Sequence, residues 1–271
     1  MGEFLFSIDL EDVSNEITGK NSYTHRVPIM THRILRFLKS TNSFATFFTT
    51  GDIARLFPSL IKEIVNEGHE IGCHSDKHLP LTALTPKLFK EDLQRNTDAL
   101  RKAGADKIYG FRAPIFSLVK KTEWAYEILK ELGFLYSSSV LPAKHPLFGW
   151  EEFGGDLKKT DGVFEVPLSI TPFPLVRLPF SGGAYFRMFP LFILEFLFNN
   201  LKKSQKPITG YFHPQDIDVE IGKLIYKEYG AAYNFILNYN RSSVFKKIEG
   251  LTKKGYSLIS YKSYIDNMKS A

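Results

Sequence analysis

Short strand-like segments alternate with helix-like segments along almost the whole chain, and this alternation limits the fold more than any other feature. Apolar, β-branched or aromatic runs predict strands at residues 4–9, 45–50, 70–75, 108–113, 134–140, 163–170, 208–213 and 256–260. Helical periodicity predicts helices at 28–39, 57–67, 86–103, 122–132, 188–203 and 242–254. Gly68, Gly104 and Gly133 directly follow three of these helices, as helix-ending glycines do. Strand followed by helix, repeated in this way, predicts a parallel sheet covered by helices.

The number of these units favours a barrel. Seven or eight strand and helix units fit a closed or nearly closed α/β barrel better than an open sheet. Residues 141–187 interrupt the rhythm with prolines, adjacent glycines and aromatic residues, which predicts a loop-rich insertion. The 271 residues contain no internal repeat and no linker-like stretch, so we expect a single domain, 1–271, that carries this insertion.

Composition and charge exclude several classes of protein. The 44% hydrophobic and 24% charged residues are values of an ordinary globular chain. The single cysteine, Cys73, excludes an internal disulfide framework and a four-cysteine zinc site. The net charge of +6 is spread out without a basic stripe, so we expect no nucleic-acid partner. The N-terminus does not resemble a signal peptide and no apolar run is long enough to span a bilayer, which predicts a cytoplasmic protein.

Acidic residues and histidines follow two of the predicted strands. Asp9, Glu11 and Asp12 come at the end of the first strand, and His74 and His78 come at the end of the third. Imidazoles four positions apart share one face of a helical turn, so with one carboxylate they would form a three-ligand metal site open to water. Taken alone, each segment also fits a solvated turn or an exposed loop.

Two further polar residues end predicted strands at the same rim. Arg112 follows the fourth strand, where it would pair with a carboxylate and orient it. A purely structural ion pair is the alternative. His213 ends the seventh strand, where an imidazole would serve as a proton donor, although a buried core histidine is the alternative.

In their order along the chain, these segments resemble the polysaccharide deacetylase family, also called the NodB-homology family or carbohydrate esterase family 4. The segments that carry the resemblance are the Asp-containing end of the first strand, Ala45 to Gly51, Gly68 to His78, Arg112 to Pro114, and Phe212 to Pro214. More narrowly, residues 7–12, 182–187 and 211–214 resemble an intracellular branch found near bacterial exopolysaccharide gene clusters.

The resemblance implies a distorted (β/α) barrel of seven or eight units that hydrolyses the acetamide of an N-acetylated sugar. It implies that Asp9 is the catalytic base, Arg112 the residue that orients it, and His213 the general acid. His74 and His78 correspond to ligands of one divalent ion, for which we expect Zn²⁺, with Co²⁺ or Ni²⁺ as alternatives.

Two departures from the family pattern affect these assignments. Leu10 stands where the common motif has a second aspartate, so the metal carboxylate is Glu11 or Asp12. We favour Glu11, because residues two apart in an extended chain share one face and Glu11 is two beyond Asp9.

The second departure concerns the partner of His213. Residues 134–140 contain neither the Asp nor the Trp that many members carry at this point, so His213 lacks its usual carboxylate. Asp216 and Glu165 both remain candidates for that partner.

The resulting prediction is a metal-dependent hydrolase that removes an N-acetyl group from an amino sugar of a saccharide or of a lipid-linked sugar. Substrate contacts are expected from Ile115, through its backbone N–H, and from Tyr185 and Arg187. Residues 174–198 are expected to make peripheral contact with a membrane at its inner face. A small-amide hydrolase similar to allantoinase and a non-catalytic carbohydrate-binding protein are the alternatives, and the oligomeric state is left open.

Overall fold

The computed structural model of the chain describes residues 2–12, 25–145, 148–173, 177–221, 224 and 230–270. The strands of this part are β1 (Gly2–Leu10), β2 (Thr46–Thr49), β3 (Glu70–Cys73), β4 (Gly110–Phe111), β5 (Tyr136–Ser137), β6 (Lys158–Thr160), β7 (Val163–Glu165), β8 (Ile208–Phe212) and β9 (Tyr256–Ile259). Its α-helices are α1 (Val27–Ser40), α2 (Gly51–Leu56), α3 (Pro58–Asn66), α4 (Pro86–Lys102), α5 (Ala125–Glu131), α6 (Gly183–Met188), α7 (Leu191–Lys203), α8 (Pro214–Ile217), α9 (Ala231–Asn238), α10 (Val244–Lys253) and α11 (Tyr261–Ser270).

The strands form one sheet around β1. Their order is β6-β7-β5-β4-β3-β2-β1-β8, and β9 pairs with the first half of β1. The pairs are parallel except in the hairpin of β6 and β7. Because parallel strands all end at the same edge of a sheet, the polar residues predicted at the strand ends are brought to one rim.

The sheet curves into a distorted barrel, and the ladder of hydrogen bonds between its strands is interrupted beside β8. There, two side chains replace ladder hydrogen bonds. The backbone N–H of Ser169 donates to Thr209 Oγ1 at 2.7 Å, and the backbone N–H of Thr209 donates to Ser169 Oγ at 2.8 Å. The predicted distorted α/β barrel is therefore confirmed, with side-chain contacts rather than a regular strand pair at its seam.

The stretch predicted as a loop-rich insertion, 141–187, contains the hairpin of β6 and β7 as well as α6. β7 continues the main sheet, because Phe164 pairs in parallel with Tyr136 of β5. The sequence prediction missed β6, since its residues Lys158 and Lys159 are exposed and polar and give no apolar signal.

Strand alternation divides β1 between two environments. Phe4, Phe6, Ile8 and Leu10 face outward and pack in the core that lies beneath the surrounding helices. Ser7 and Asp9 alternate with them and are also buried, on the opposite face of the strand. The barrel interior therefore receives polar groups from the middle and the end of its central strand.

Glycines end three helices as predicted. Gly68, Gly104 and Gly133 have φ angles of 83°, 106° and 81°, a left-handed conformation that favours glycine. In the part of the chain that the structure describes, every helix is too short or too polar to cross a bilayer.

Candidate active site

Asp9 and Arg112 form a buried ion pair in the barrel interior. Arg112 Nη1 donates to Asp9 Oδ1 at 2.6 Å and to Ser7 Oγ at 2.7 Å. Arg112 Nε donates to the carbonyl of Ser138 at 3.1 Å, and Nη2 donates to the hydroxyl of Tyr261 at 2.9 Å. A buried charge is costly unless it is paired and hydrogen-bonded, so these contacts hold Arg112 and Asp9 in one orientation.

Three side chains beside this pair offer ligand atoms to one point. A carboxylate oxygen of Glu11 and ring nitrogens of His74 and His78 all lie within 4.8 Å of one another. His78 Nε2 is 2.6 Å from Glu11 Oε2. His74 Nδ1 lies 2.9 Å from the carbonyl oxygen of Arg112, which can only accept, so Nδ1 carries the proton and Nε2 keeps its lone pair.

We call Glu11, His74 and His78 the cluster. Burial and the contacts among neighbouring side chains set the charges of these residues. Burial lowers the pKa of His74 to about 4, which keeps its ring neutral. Burial opposes the charge on Glu11, but the adjacent His78 together with His213 and His74 outweighs burial, and the pKa of Glu11 falls to about 2. Burial likewise lowers the pKa of His78, but the charge and hydrogen bond of Glu11, with the charge of Asp9, together outweigh this and the net direction is upward.

The segment that carries the two histidines is not the predicted helical turn. It is an irregular loop in which Ser75 and His78 adopt left-handed φ angles of 65° and 54°. The buried carboxylate of Asp92 supports the loop by accepting the backbone N–H of Asp76 at 2.8 Å. The expectation of a helical turn is therefore wrong, and the imidazoles converge because two left-handed residues fold the loop back.

The structure separates the two carboxylates that were candidates for the cluster. Glu11 contacts His78, whereas Asp12 Oδ2 lies 2.6 Å from Nδ1 of His25. Successive residues of an extended segment point to opposite sides, which explains the separation. Glu11, the favoured candidate, is in the cluster, and Asp12, the other predicted ligand, is outside it.

His213 lies next to Glu11 and directly follows β8. Its Nε2 is 3.4 Å from Glu11 Oε1 and 3.9 Å from Asp9 Oδ2. Its Nδ1 is 3.0 Å from Asp216 Oδ2. Burial disfavours the imidazolium, but the hydrogen bond and charge of Asp216 together with the charges of Glu11 and Asp9 outweigh burial and raise the pKa of His213 to about 9. The ring is therefore charged at neutral pH, with Nε2 turned to the cluster.

Of the two candidate partners of His213, the structure selects Asp216. Glu165 instead accepts the backbone N–H groups of Ser139 and Val140 at 2.7 and 3.0 Å and contacts the hydroxyl of Tyr126. These contacts fix the chain after β5 and lie outside the His213 pair.

The three expected substrate contacts lie in different environments. Ile115 is 44% exposed and has a left-handed φ of 48°. Tyr185 is half-buried in α6. Arg187 is only 1% exposed, and its Nη2 lies 3.1 Å from Asp216 Oδ1, so the structure does not offer this guanidinium to a substrate. The assignment of Arg187 as a substrate-binding residue is corrected for that reason.

Sequence reasoning missed three groups that hold Arg112, namely Ser7, Ser138 and Tyr261. A signal existed for Ser7, since it is two residues before Asp9 on the same strand and must share its face. Tyr261 gave none, because its contact with Arg112 depends on how α11 packs across the barrel.

Comparison with known proteins supports the same family. The family model described as polysaccharide deacetylase matches residues 19–137, and the model of a domain of unknown function, DUF3473, matches 138–263. Residues 1–18, which include Asp9 and Glu11, precede the matched range.

Curated relatives share part of this chain. A peptidoglycan-N-acetylglucosamine deacetylase of Bacillus cereus is 32% identical over 98 residues, 36% of this chain and 36% of its own. An uncharacterised 30.6 kDa protein of Geobacillus stearothermophilus is 36% identical over 72 residues, 27% of each chain. The chain thus spans about a third of the length of these relatives.

The fold is shared over a longer range. A crystal structure named as a polysaccharide deacetylase from Mycobacterium smegmatis superposes with a TM-score of 0.65 at 20% identity, covering 99% of this chain and 90% of its own. Residues 19–137 thus match the polysaccharide deacetylase family, and the barrel fold of such a protein is shared over almost the whole chain.

Proposed function

We propose that the chain is a divalent-metal-dependent hydrolase that removes the N-acetyl group from an amino sugar of a saccharide or of a lipid-linked sugar. One observation carries the proposal: the convergence of Glu11, His74 and His78 within 4.8 Å, flanked by Asp9 and His213. The Bacillus cereus relative is named for deacetylation of peptidoglycan N-acetylglucosamine, which supports the substrate class. We further propose that the protein acts in the cytoplasm.

The donor set fits a divalent transition metal. Two imidazoles and one carboxylate are donors that zinc takes in catalytic sites, where three protein ligands leave a position open. The neutral ring of His74 is the form of imidazole that binds a metal. A bound Zn²⁺, or Co²⁺ or Ni²⁺ in its stead, would polarise the acetamide carbonyl and acidify a water molecule.

Asp9 has the geometry of a proton acceptor. Arg112 binds its Oδ1, while its Oδ2 is turned toward His213, 3.9 Å from Nε2. A carboxylate held in this way cannot rotate away from the water that attacks the acetamide carbon. In this scheme Asp9 takes the proton of that water as the new C–O bond forms.

His213 has the position of the proton donor to the leaving amine. Its ring is held by Asp216 at Nδ1, and Nε2 lies 3.4 Å from Glu11 Oε1. When the C–N bond breaks, the amine nitrogen takes the proton from Nε2. The products are acetate and the free amino sugar.

The backbone N–H of Ile115 is the candidate donor to the oxygen of the tetrahedral intermediate. Ile115 and Phe116 both have left-handed φ angles, 48° and 54°, in the loop that follows Arg112. A β-branched residue adopts this conformation at a cost, and such strain is found where a backbone group has a specific task.

The decisive experiment measures acetate release from N-acetylated chitooligosaccharides, peptidoglycan fragments and a nucleotide-linked N-acetylhexosamine. Protein loaded with zinc, cobalt or nickel is expected to release acetate, and chelation should stop it. Absence of acetate from all of these substrates with all three metals would refute the proposal. Asp9→Asn serves as the matched control, since it keeps the shape and removes the base.

We also propose that the chain contacts an anionic membrane surface through the exposed face of α7. Phe192 and Phe196 are 68% and 52% exposed, and Lys203 follows on the same face at helical spacing. Apolar rings beside basic side chains suit the boundary of an anionic bilayer. Residues 174–176 of the segment expected at the membrane lie outside the described residues.

Flotation with phosphatidylglycerol vesicles tests this contact. The double variant Phe192→Asp, Phe196→Asp is expected to lose vesicle binding that the wild type has. The matched control is Leu56→Asp, Leu88→Asp, which adds the same charge at two exposed apolar residues of other helices. Equal flotation of all three proteins would contradict the contact.

A further inference from the structure

We propose that Arg187 is a positioning residue that acts through Asp216 to orient His213. The inference rests on the proposed function, since it concerns the residue to which that function assigns proton donation. It replaces the sequence-based expectation that Arg187 contacts the substrate.

A continuous series of contacts leads from the end of helix α9 through Arg187 and Asp216 to His213. Arg187 Nη1 donates to the carbonyl oxygens of Leu237 and Tyr239 at 3.0 and 2.6 Å, and its Nη2 lies 3.1 Å from Asp216 Oδ1. The other oxygen of Asp216, Oδ2, accepts the backbone N–H of His213 at 2.9 Å and lies 3.0 Å from its Nδ1. Each carboxylate oxygen therefore has a separate task.

Burial makes this arrangement rigid. Arg187 is 1% exposed and Asp216 is 4% exposed, so neither charge can be satisfied by bulk water. A buried carboxylate without a cation would take up a proton or turn toward another donor. With Arg187 at Oδ1 and His213 at Oδ2, Asp216 stays ionised, and the contact with Arg187 leaves Oδ2 directed at His213. The result is that Nδ1 of the ring holds a proton and Nε2 faces the reacting groups.

The backbone around Arg187 is fixed as firmly as its side chain. Lys247 Nζ donates to the carbonyl oxygens of Phe186, Arg187 and Phe189 at 3.1, 2.7 and 2.8 Å. Asn240 Nδ2 donates to the carbonyl of Arg187 at 3.2 Å. These contacts fix the backbone at the end of the short helix α6. They thereby fix the point from which the side chain of Arg187 extends toward Asp216.

The site therefore contains two buried arginine and aspartate pairs with different tasks. Arg112 holds Asp9, the proposed base, and Arg187 holds Asp216, which acts on His213. Arg187 is expected to matter only for the step in which the leaving group needs a proton.

Leaving-group dependence tests the proposal. In Arg187→Met, we expect kcat for an N-acetylated chitooligosaccharide to fall about 10 to 100-fold, with KM changed less than about twofold. With 4-nitrophenyl acetate, whose phenolate leaves without a proton, we expect a loss below about threefold. Arg187→Lys should recover part of the amide activity. Equal losses on amide and ester would overturn the proposal, because general disruption affects both.

Arg241→Met is the matched control for removing a buried arginine. Arg241 is 7% exposed and donates to the carbonyl of Asp218 and to the side chain of Asn238. We expect it to lower thermal stability while leaving the ratio of amide to ester activity as in the wild type. A ratio that falls as far as in Arg187→Met would overturn the specific role of Arg187.

A second measurement does not depend on activity. Nitrogen-15 spectra of the seven imidazoles, with His213 assigned from a His213→Gln variant and recorded above its pKa of about 9, report which nitrogen of the neutral ring carries the proton. Wild type is expected to hold a proton on Nδ1, and Arg187→Met is expected to lose this preference. An unchanged His213 signal in Arg187→Met would overturn the proposal even if the chain releases no acetate. Absence of acetate with a changed signal would refute the hydrolase and leave the positioning role standing.

Discussion

The hydroxyl of Tyr261 accepts a hydrogen bond from Nη2 of Arg112 at 2.9 Å, although 149 positions separate the two residues in the chain. The ring of Tyr261 also stacks on Tyr136, with centroids 5.6 Å apart. The first residue of α11 thus contributes to the orientation of Arg112, and through it to that of Asp9.

Tyr261→Phe removes this hydrogen bond and keeps the ring. We expect the free energy of unfolding to fall by about 1 kcal/mol, as for the loss of one buried hydrogen bond, and acetate release to slow several-fold. Denaturant unfolding and initial rates measure the two effects. Tyr264→Phe, in the same helix but only half-buried, should change the rate little, and a larger effect there would contradict the assignment.

Metal binding should distinguish two adjacent carboxylates. Glu11→Gln is expected to weaken zinc affinity at least about 100-fold, because one of three ligands is lost, whereas Asp12→Asn should leave it nearly unchanged. Competition with a chromogenic chelator measures both. The reverse order of the two variants would show that the acidic ligand is misassigned.

Asp92 should affect the metal site without touching it. Its Oδ2 accepts the backbone N–H of Asp76, which lies between the two histidines. Asp92→Ala is expected to lower zinc affinity about 10 to 100-fold, the range seen for groups that orient metal ligands. Asp92→Asn keeps an acceptor oxygen and should lose much less. Equal affinities for wild type and Asp92→Ala would rule out this supporting role.

The dependence of stability on pH should contain a contribution from His69, which lies outside the candidate site. Burial lowers its pKa to about 4 from an ordinary 6.5, and its Nδ1 has no hydrogen-bond partner among the described residues. The unfolded chain then binds more protons than the folded one between these two values. Stability from the neutral ring is therefore complete above about pH 6.5 and is lost as the pH falls toward 4.

His69→Phe isolates this effect, because the site is lined by Phe44 and Phe47 and accepts an aromatic ring. Between pH 7 and pH 4.5, the wild type should lose about 2 kcal/mol more stability than the variant. Urea unfolding at the two pH values measures the difference. Parallel losses in both proteins would mean that His69 is not buried in its neutral form.

The sequence predicted the fold well because the barrel follows from local patterns. The eight predicted strands coincide with strands of the sheet, since each has an apolar or aromatic run bounded by turn residues. The hairpin strand β6 was missed because its side chains are polar and exposed. The contact between Ser169 and Thr209 at the seam of the barrel could not be predicted either. Side chains that take the place of ladder hydrogen bonds produce no periodic pattern in the sequence.

The candidate site was predictable where residues follow strands and unpredictable where loops or distant helices decide. Asp9, Arg112 and His213 are at strand ends, and parallel strands bring such positions together. The path of the loop between His74 and His78 depends on left-handed residues that carry no glycine signal. Arg187 was assigned to the substrate because its burial results from the packing of α6 and α9, which a single sequence does not reveal.

The interior of the barrel mixes residues from both family matches. Arg112 belongs to the region 19–137, whereas Tyr261, His213 and Asp216 belong to 138–263. A chimera joined between residues 137 and 138 would bring unmatched partners to Arg112, whose contacts with Ser138 and Tyr261 cross that junction. Exchange among homologues should therefore succeed only when both regions are inherited together, so the whole barrel is the unit that recombines.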